Sequence, residues 1–256
     1  MNTIQEIQYI RDRDGRKLPL EILYADERLL AISKPSGIPV IPDRWQPELP
    51  NIRDILQQRL DRQIWIVHRL DADTSGIMLF ALEPEMHRYL SQQFEHSLVE
   101  KTYLALVKGH PAPDAGTIDL PLLLKTNQRA KMVVSKKGKP SQTHYKLLET
   151  FERFSLVEAK PVTGRTHQIR VHLAELGFPL AIDPIYSSAD PILLSQIKIR
   201  YTASTRKAEL PLIARLTLHA QRIEFTDESG QQRTFSAELP KDFRNLLNAL
   251  QKWNRK

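Results

Sequence analysis

The sequence predicts a mixed α+β fold. Segments with strand-like alternation and segments with helical spacing follow one another along 256 residues, without the regular alternation of a βαβ series. No internal repeat organises them. With 41% hydrophobic and 26% charged residues, the chain can bury a sizeable core, in one large domain or two intimately packed ones.

Taken in order, residues 1–17 are polar and expected at the periphery. In LEILYADERLLAISKPSG, two apolar runs, 20–24 and 29–33, surround a polar turn and predict a hairpin, with Pro35 and Gly37 at its exit. A Pro-rich loop spans 35–50, and Asn51 is placed to cap a helix that sets Ile52, Ile55, Leu56 and Leu60 on one face. Ile77–Leu82 predicts a buried strand, and Pro84 suits the first turn of a helix reaching His96. VEKTYLALVKG alternates, with Tyr103, Ala105 and Val107 on one face. Strands are expected at 131–135, 141–149 and 154–160, and THQIRVHLAELG reads as a helix stopped by Gly177. A last hairpin, 216–225 with 232–235, precedes a helix at about 241–253.

No segment approaches the roughly 20 apolar residues of a membrane helix. MNTIQEIQYIRDRDGRK lacks the apolar core of a signal peptide, so a cytoplasmic protein is expected. The chain has no cysteine, which excludes a disulfide framework and leaves only His and carboxylates for any metal site. A net charge of +7 suits a polyanionic partner. The distribution is more pointed: KTNQRAKMVVSKKGK, 125–139, holds six bases and no acid.

The chemistry concentrates at HRLDADTSG, 68–76, where Asp71 follows a short apolar run between an arginine and a small-residue turn. A carboxylate there is ordinarily a solvated turn former. Metal and serine chemistry fit poorly. There is no His-Glu-x-x-His pattern, TSG is not a Gly-x-Ser-x-Gly elbow, and no Gly-rich phosphate loop occurs. His167 and His172 are five residues apart, roughly 140° around a helix, and share no ligand face. A second block, PVTGRTHQIRVH (161–172), sets Arg165 at a strand-to-helix turn, where a guanidinium can hold a carboxylate ionised.

At these residues the sequence resembles the RluA-type pseudouridine synthases, whose motif is His-Arg-Leu-Asp-x-x-Thr-Ser-Gly. ISKPSGIPV, EKTYLALVKGHP, GKPSQTHY, TGRTHQIRVHLAELGFPL and RLTLHA follow in family order, so the resemblance covers residues 20 to 240. It implies the pseudouridine synthase fold: a mixed, largely antiparallel central sheet flanked by helices, with an active-site cleft across the sheet. Residues 1–19 are expected to be an N-terminal extension and 20–256 the catalytic domain, a compact member lacking the small N-terminal RNA-binding domain of many relatives. Two departures stand out. The family's Gly-Asp-x-x-Tyr-Gly becomes IDPIYSS, with Ile182 and Ser187 for the glycines but Asp183 and Tyr186 kept. The following segment, 187–215, is long and carries Lys198, Arg200, Arg206, Lys207 and Arg215.

The implied reaction converts uridine in rRNA or tRNA stem-loops to pseudouridine, with neither metal nor cofactor. The resemblance gives Asp71 the role of nucleophile or base, Tyr103 a place on the extruded uracil, and Arg165 the pairing with Asp71. Arg69 would fill the vacated stack or grip phosphates, Leu218 would pack on the other face of the base, and Lys34, Lys131 and Lys139 would meet the phosphate backbone. His68 is expected to support the turn rather than carry a proton. A monomer with no membrane association is expected. Two rivals stand beside this reading: a non-catalytic RNA-binding or folding protein on the same fold, and a glycosidase that releases uracil.

Overall fold

The computed structural model describes residues 8–12, 14–42, 46–125, 131–202 and 208–254. The chain begins with β1 (Tyr9–Arg11), β2 (Lys17–Pro19), β3 (Glu21–Ala25), β4 (Leu29–Lys34), α1 (Ile52–Leu60), β5 (Trp65–Ile66), β6 (Ser75–Ala81) and α2 (Pro84–Glu95). It continues through β7 (Glu100–Lys108), β8 (Ala115–Asp119), β9 (Leu122–Leu124), β10 (Met132–Val134), β11 (Gln142–Thr150), β12 (Phe154–Pro161) and α3 (Gln168–Glu175). A 3-10 turn at Leu194–Gln196 leads to β13 (Leu218–Thr226), β14 (Gln232–Ser236) and α4 (Lys241–Trp253). Two units result: residues 1–102 with 219–238, and residues 103–218 with 239–256. No helix among the described residues is long and apolar enough to cross a membrane.

In the first unit the strand SGIMLFA, β6, is buried at every position, as a central strand covered on both faces must be. The predicted hairpin forms as antiparallel β3 and β4, and β4 pairs along one edge of β6 from Leu29↔Ala81 to Lys34↔Gly76. A strand has only two hydrogen-bonding edges, so the other edge of β6 takes both remaining partners. β13 pairs parallel at Ser75–Gly76, and β5 pairs antiparallel at Phe80–Ala81. Gly76 has φ +122, and a Cβ there would overlap the Ala220 carbonyl, so only glycine permits this approach. Asn51 caps α1 by accepting the Asp54 N–H at 3.0 Å, as its position suggests. Within the polar N-terminal stretch, Tyr9–Arg11 and Lys17–Pro19 form the β1–β2 hairpin, mostly exposed but with Ile10 fully buried and the Tyr9 ring contacted by Lys17 and Arg59.

The second unit is antiparallel in the order β7-β12-β11-β8. One apolar cluster there joins Ala105 and Val107 of β7 to Ile169 and Leu173 of α3. Another joins Leu104 and Leu106 to Phe243, Leu246, Leu247 and Leu250 of α4. This second cluster also accounts for the altered block: Ile182, standing where the family has glycine, is buried beside Ile192, Ile197 and Ile213 from both limbs of the 187–215 excursion. Ser187, at the other altered position, donates its hydroxyl to the Leu180 carbonyl at 2.7 Å.

Candidate active site

The Asp71 turn is built from two segments. Thr74 N–H closes it onto the Asp71 carbonyl at 3.1 Å. From the exit of the β3–β4 hairpin, Lys34 Nζ and Gly37 N–H both donate to the Ala72 carbonyl, at 2.8 and 2.9 Å, and Ser36 Oγ donates to the Asp73 carbonyl at 2.6 Å. Lys34 Nζ also donates to the carbonyls of Pro35 at 2.8 Å and Ile38 at 2.9 Å. Three carbonyls thus occupy the three donors of an ammonium that is 1% exposed. Lys34, expected at the phosphate backbone, has its ammonium among these carbonyls, which offset the cost of burying the charge. Asp71 itself is half-buried and Arg69 is exposed.

His68 supports the approach to this turn. β5 ends at Ile66, which leaves β6 without a strand partner between its β5 and β13 pairings. His68 Nε2 fills the gap by accepting the Leu79 N–H at 2.9 Å. That bond places the neutral ring's proton on Nδ1. The ring stacks on Phe94 with centroids 4.7 Å apart. Burial, with the Lys101 cation nearby, pulls the imidazole down to about 3, and burial lowers Lys101 to about 8. His68 is a neutral support at physiological pH.

The second unit carries the other predicted residues. Arg165 is exposed on the turn before α3 and donates through Nε to the Pro140 carbonyl at 3.2 Å. Buried Gln168 fixes that turn: its Oε1 accepts the Arg165 N–H at 3.0 Å and the Thr163 hydroxyl at 2.6 Å. Its Nε2 donates to the Gln142 carbonyl at 2.9 Å and to Thr143 Oγ1 at 3.0 Å. Thr143 then lies 2.9 Å from Nδ1 of His172, whose Nε2 is 3.0 Å from the Leu120 carbonyl. A carbonyl only accepts, so Nε2 carries the proton and Nδ1 receives the Thr143 hydroxyl. Burial lowers the His172 pKa, which keeps this chain neutral. Tyr103 is half-buried against the cluster of Ala105, Val107 and Ile169. Leu218, expected against the base, is 3% exposed and packs within that cluster.

Of the basic residues, Lys131 is half-buried and Lys139 exposed, with Lys125, Lys136 and Lys137 also exposed. Arg129, Arg206 and Lys207 lie outside the described residues. The 187–215 excursion offers fewer unengaged bases than its sequence suggests. Arg215 makes a paired contact with Asp242, at 2.7 and 2.8 Å, and Lys198 sits 5.4 Å over the Trp253 ring. Gln168, Thr143 and Ser36 were missed by sequence reasoning, since each acts through a partner remote in sequence or through backbone.

The ordered motifs and this α+β frame define an enzyme class. The family described as RNA pseudouridylate synthase matches residues 28–175, and the chain belongs to that family, whose members are RNA-modifying isomerases. Within it the chain is of the RluA type. It is 38% identical to the ribosomal large subunit pseudouridine synthase D of Nitrosomonas europaea, over 94% of this chain and 68% of the relative. To the dual-specificity RNA pseudouridine synthase RluA of Escherichia coli it is 37% identical, over 88% of this chain and 94% of the relative. The structure of human RNA pseudouridylate synthase domain containing 4 superposes with a TM-score of 0.67 at 27% identity, covering 90% and 93% of the two chains.

Proposed function

We propose that this protein isomerises specific uridines in rRNA or tRNA stem-loops, using Asp71 on a uridine flipped out of its stack. The names of the relatives, one for the ribosomal large subunit and one for dual specificity, support that choice of RNA. The bond from the ribose to N1 breaks and one to C5 forms, and the C5 proton is lost as N1 gains one. Atoms and electrons balance within the nucleotide. The step calls for an ionised carboxylate held against the sugar and base, and unstacking the uridine costs a few kcal/mol. Tyr103 and Arg165 are the residues that the motifs assign to the same reaction, and Arg69 is the exposed side chain suited to the vacated stack.

The observation that carries this reading is the preorganisation of the Asp71 turn. Three hydrogen bonds from Lys34, Ser36 and Gly37 converge on the carbonyls of Ala72 and Asp73. A carboxylate serving only as a solvated turn former requires no such support, whereas a reacting group does. Asp71→Asn tests it. The amide is isosteric but cannot attack the sugar, so tritium release from RNA bearing 5-tritiated uridine should fall below about one hundredth of wild type, with RNA affinity within a few-fold. A variant that still turns over above that level refutes the assignment. A wild-type protein that binds RNA but releases no tritium favours the non-catalytic reading.

A further inference from the structure

The retained pair of the altered block, Asp183 and Tyr186, has no place in the chemistry above, yet Tyr186 stands at a junction of the second unit. Its oxygen accepts the Met132 N–H of β10 at 2.8 Å and lies 3.0 Å from Nδ1 of His167. The two rings meet edge to face, with centroids 5.7 Å apart, and the Arg170 guanidinium lies 5.3 Å over the tyrosine. Asp183, fully buried, receives Nε and a terminal nitrogen of Arg170 at 2.8 Å each. Its Oδ1 also accepts the N–H groups of Ile185 and Tyr186, at 2.9 and 3.2 Å. A buried carboxylate satisfied in this way has one orientation, and it fixes the tyrosine backbone with it.

Both partners of the hydroxyl lead to functional segments. His167 is the N-cap of α3, left-handed at φ 54, with no side-chain capping bond. A non-glycine residue persists in that conformation only where its surroundings hold it, and the contact to Tyr186 holds the imidazole. Two residues earlier is Arg165, whose N–H and carbonyl are both bonded to Gln168. On the other side, Met132 opens the strand that pairs with β9, and Lys131, beside it, accepts the Lys125 N–H. Leu122, Met132, Val134, Val171 and Tyr186 form one apolar cluster under this hairpin.

We infer that Tyr186 is a positioning residue whose hydroxyl ties the basic β9–β10 hairpin to the His167 cap, so that hairpin placement and the setting of Arg165 are coupled. The inference rests on the reading of Arg165 as part of the reaction. Tyr186→Phe removes one oxygen and keeps the ring under Arg170 and packed on the cluster that holds Val171. Measured at saturating RNA in single turnover, its rate should fall about tenfold, because a reacting group is displaced. RNA affinity, compared in the Asp71→Asn background, should stay within about twofold, because the hairpin bases remain.

Additivity separates this role from general structural support. In an Arg165→Met background, Tyr186→Phe should slow turnover no further, since it acts through the missing side chain. A repeat of the tenfold loss there would overturn the inference, as would a full-rate Tyr186→Phe protein. An Arg165→Met protein with wild-type turnover would overturn it at its premise, a result distinct from both. If Tyr186→Phe fails to fold, His167→Gly, which adopts the left-handed backbone without strain and removes the imidazole, carries the same two-background test from the other partner. His167→Asn, which tolerates the left-handed region and keeps an acceptor, should restore most of the rate.

Discussion

Replacing Lys34 with methionine gives a decisive measurement of how the Asp71 turn is held. Methionine fills a similar volume but offers no donor to the carbonyls of Pro35, Ile38 and Ala72, which Lys34 meets at 2.8 to 2.9 Å. Ala72 keeps the Gly37 N–H, so two carbonyls lose this partner. At about 1–3 kcal/mol for each buried group left unpaired, the gross cost is about 2–6 kcal/mol. Removing the desolvation burden of an internal ammonium offsets part of this, which leaves a net loss of about 3 kcal/mol. For a chain of this size that corresponds to a drop of about 6–12 °C in Tm, readable by circular dichroism. Tritium release should fall with it, because the carbonyl next to Asp71 loses one of its two donors. Arginine should not rescue, since its planar fork cannot address three carbonyls that converge on one point. If Lys34 instead touched phosphate, Tm would move by less than about 2 °C, and the slope of log affinity against log salt would shrink by about one. That pair of results would refute the internal role.

Two further expectations concern the same unit. His68 has a pKa of about 3 in the fold against 6.5 ordinarily, so between those values the unfolded chain binds more protons and stability declines as pH falls from 6.5 toward 3. His68→Gln keeps an acceptor for the Leu79 N–H and cannot be protonated, so its urea midpoint should depend less on pH over that window; an identical slope would mean His68 is charged in the fold. Gly76→Ala should cost about 3–5 kcal/mol or prevent folding, from overlap with the Ala220 backbone and a positive φ. Chemical denaturation measures it, and a loss under about 1 kcal/mol would show that the β6–β13 approach is looser than described.

The elements legible in the sequence are those whose signals lie side by side in the chain. Asn51 caps α1 through a residue three positions on, Pro84 opens α2 without a lost N–H, and the spacing of Phe243, Leu247 and Leu250 outlines α4, whose observed bounds are Lys241–Trp253. The β1–β2 hairpin was not legible, because its strands are three residues each and its ring contact comes from Arg59, far along the chain. β9 is equally short, and β5 shrinks to two residues because a histidine side chain takes over its pairing. The division into two units falls inside β7 and at the start of β13, where no change of composition marks it.

Lys34 and the lysines after β10 show why a site's chemistry is more legible than the placement of its charges. A single base before Pro-Ser-Gly looks the same in sequence whether its ammonium faces phosphate or backbone. What decides is the supply of carbonyls: a tight turn, with Pro35 unable to donate, leaves oxygens that no strand partner claims, and one cation within reach can serve several. That supply is soon exhausted. Adjacent bases such as Lys136 and Lys137, with Lys139 just beyond, would need some nine acceptors at three donors each, on a turn whose Ser135 and Lys139 carbonyls already accept the N–H groups of Gly138 and Leu122. They remain exposed. Solitary bases at proline turns are therefore candidates for internal braces, and runs of bases are candidates for phosphate. Under that rule the 131–139 stretch is the second unit's candidate for phosphate contact, and its first strand residue, Met132, is bonded to Tyr186.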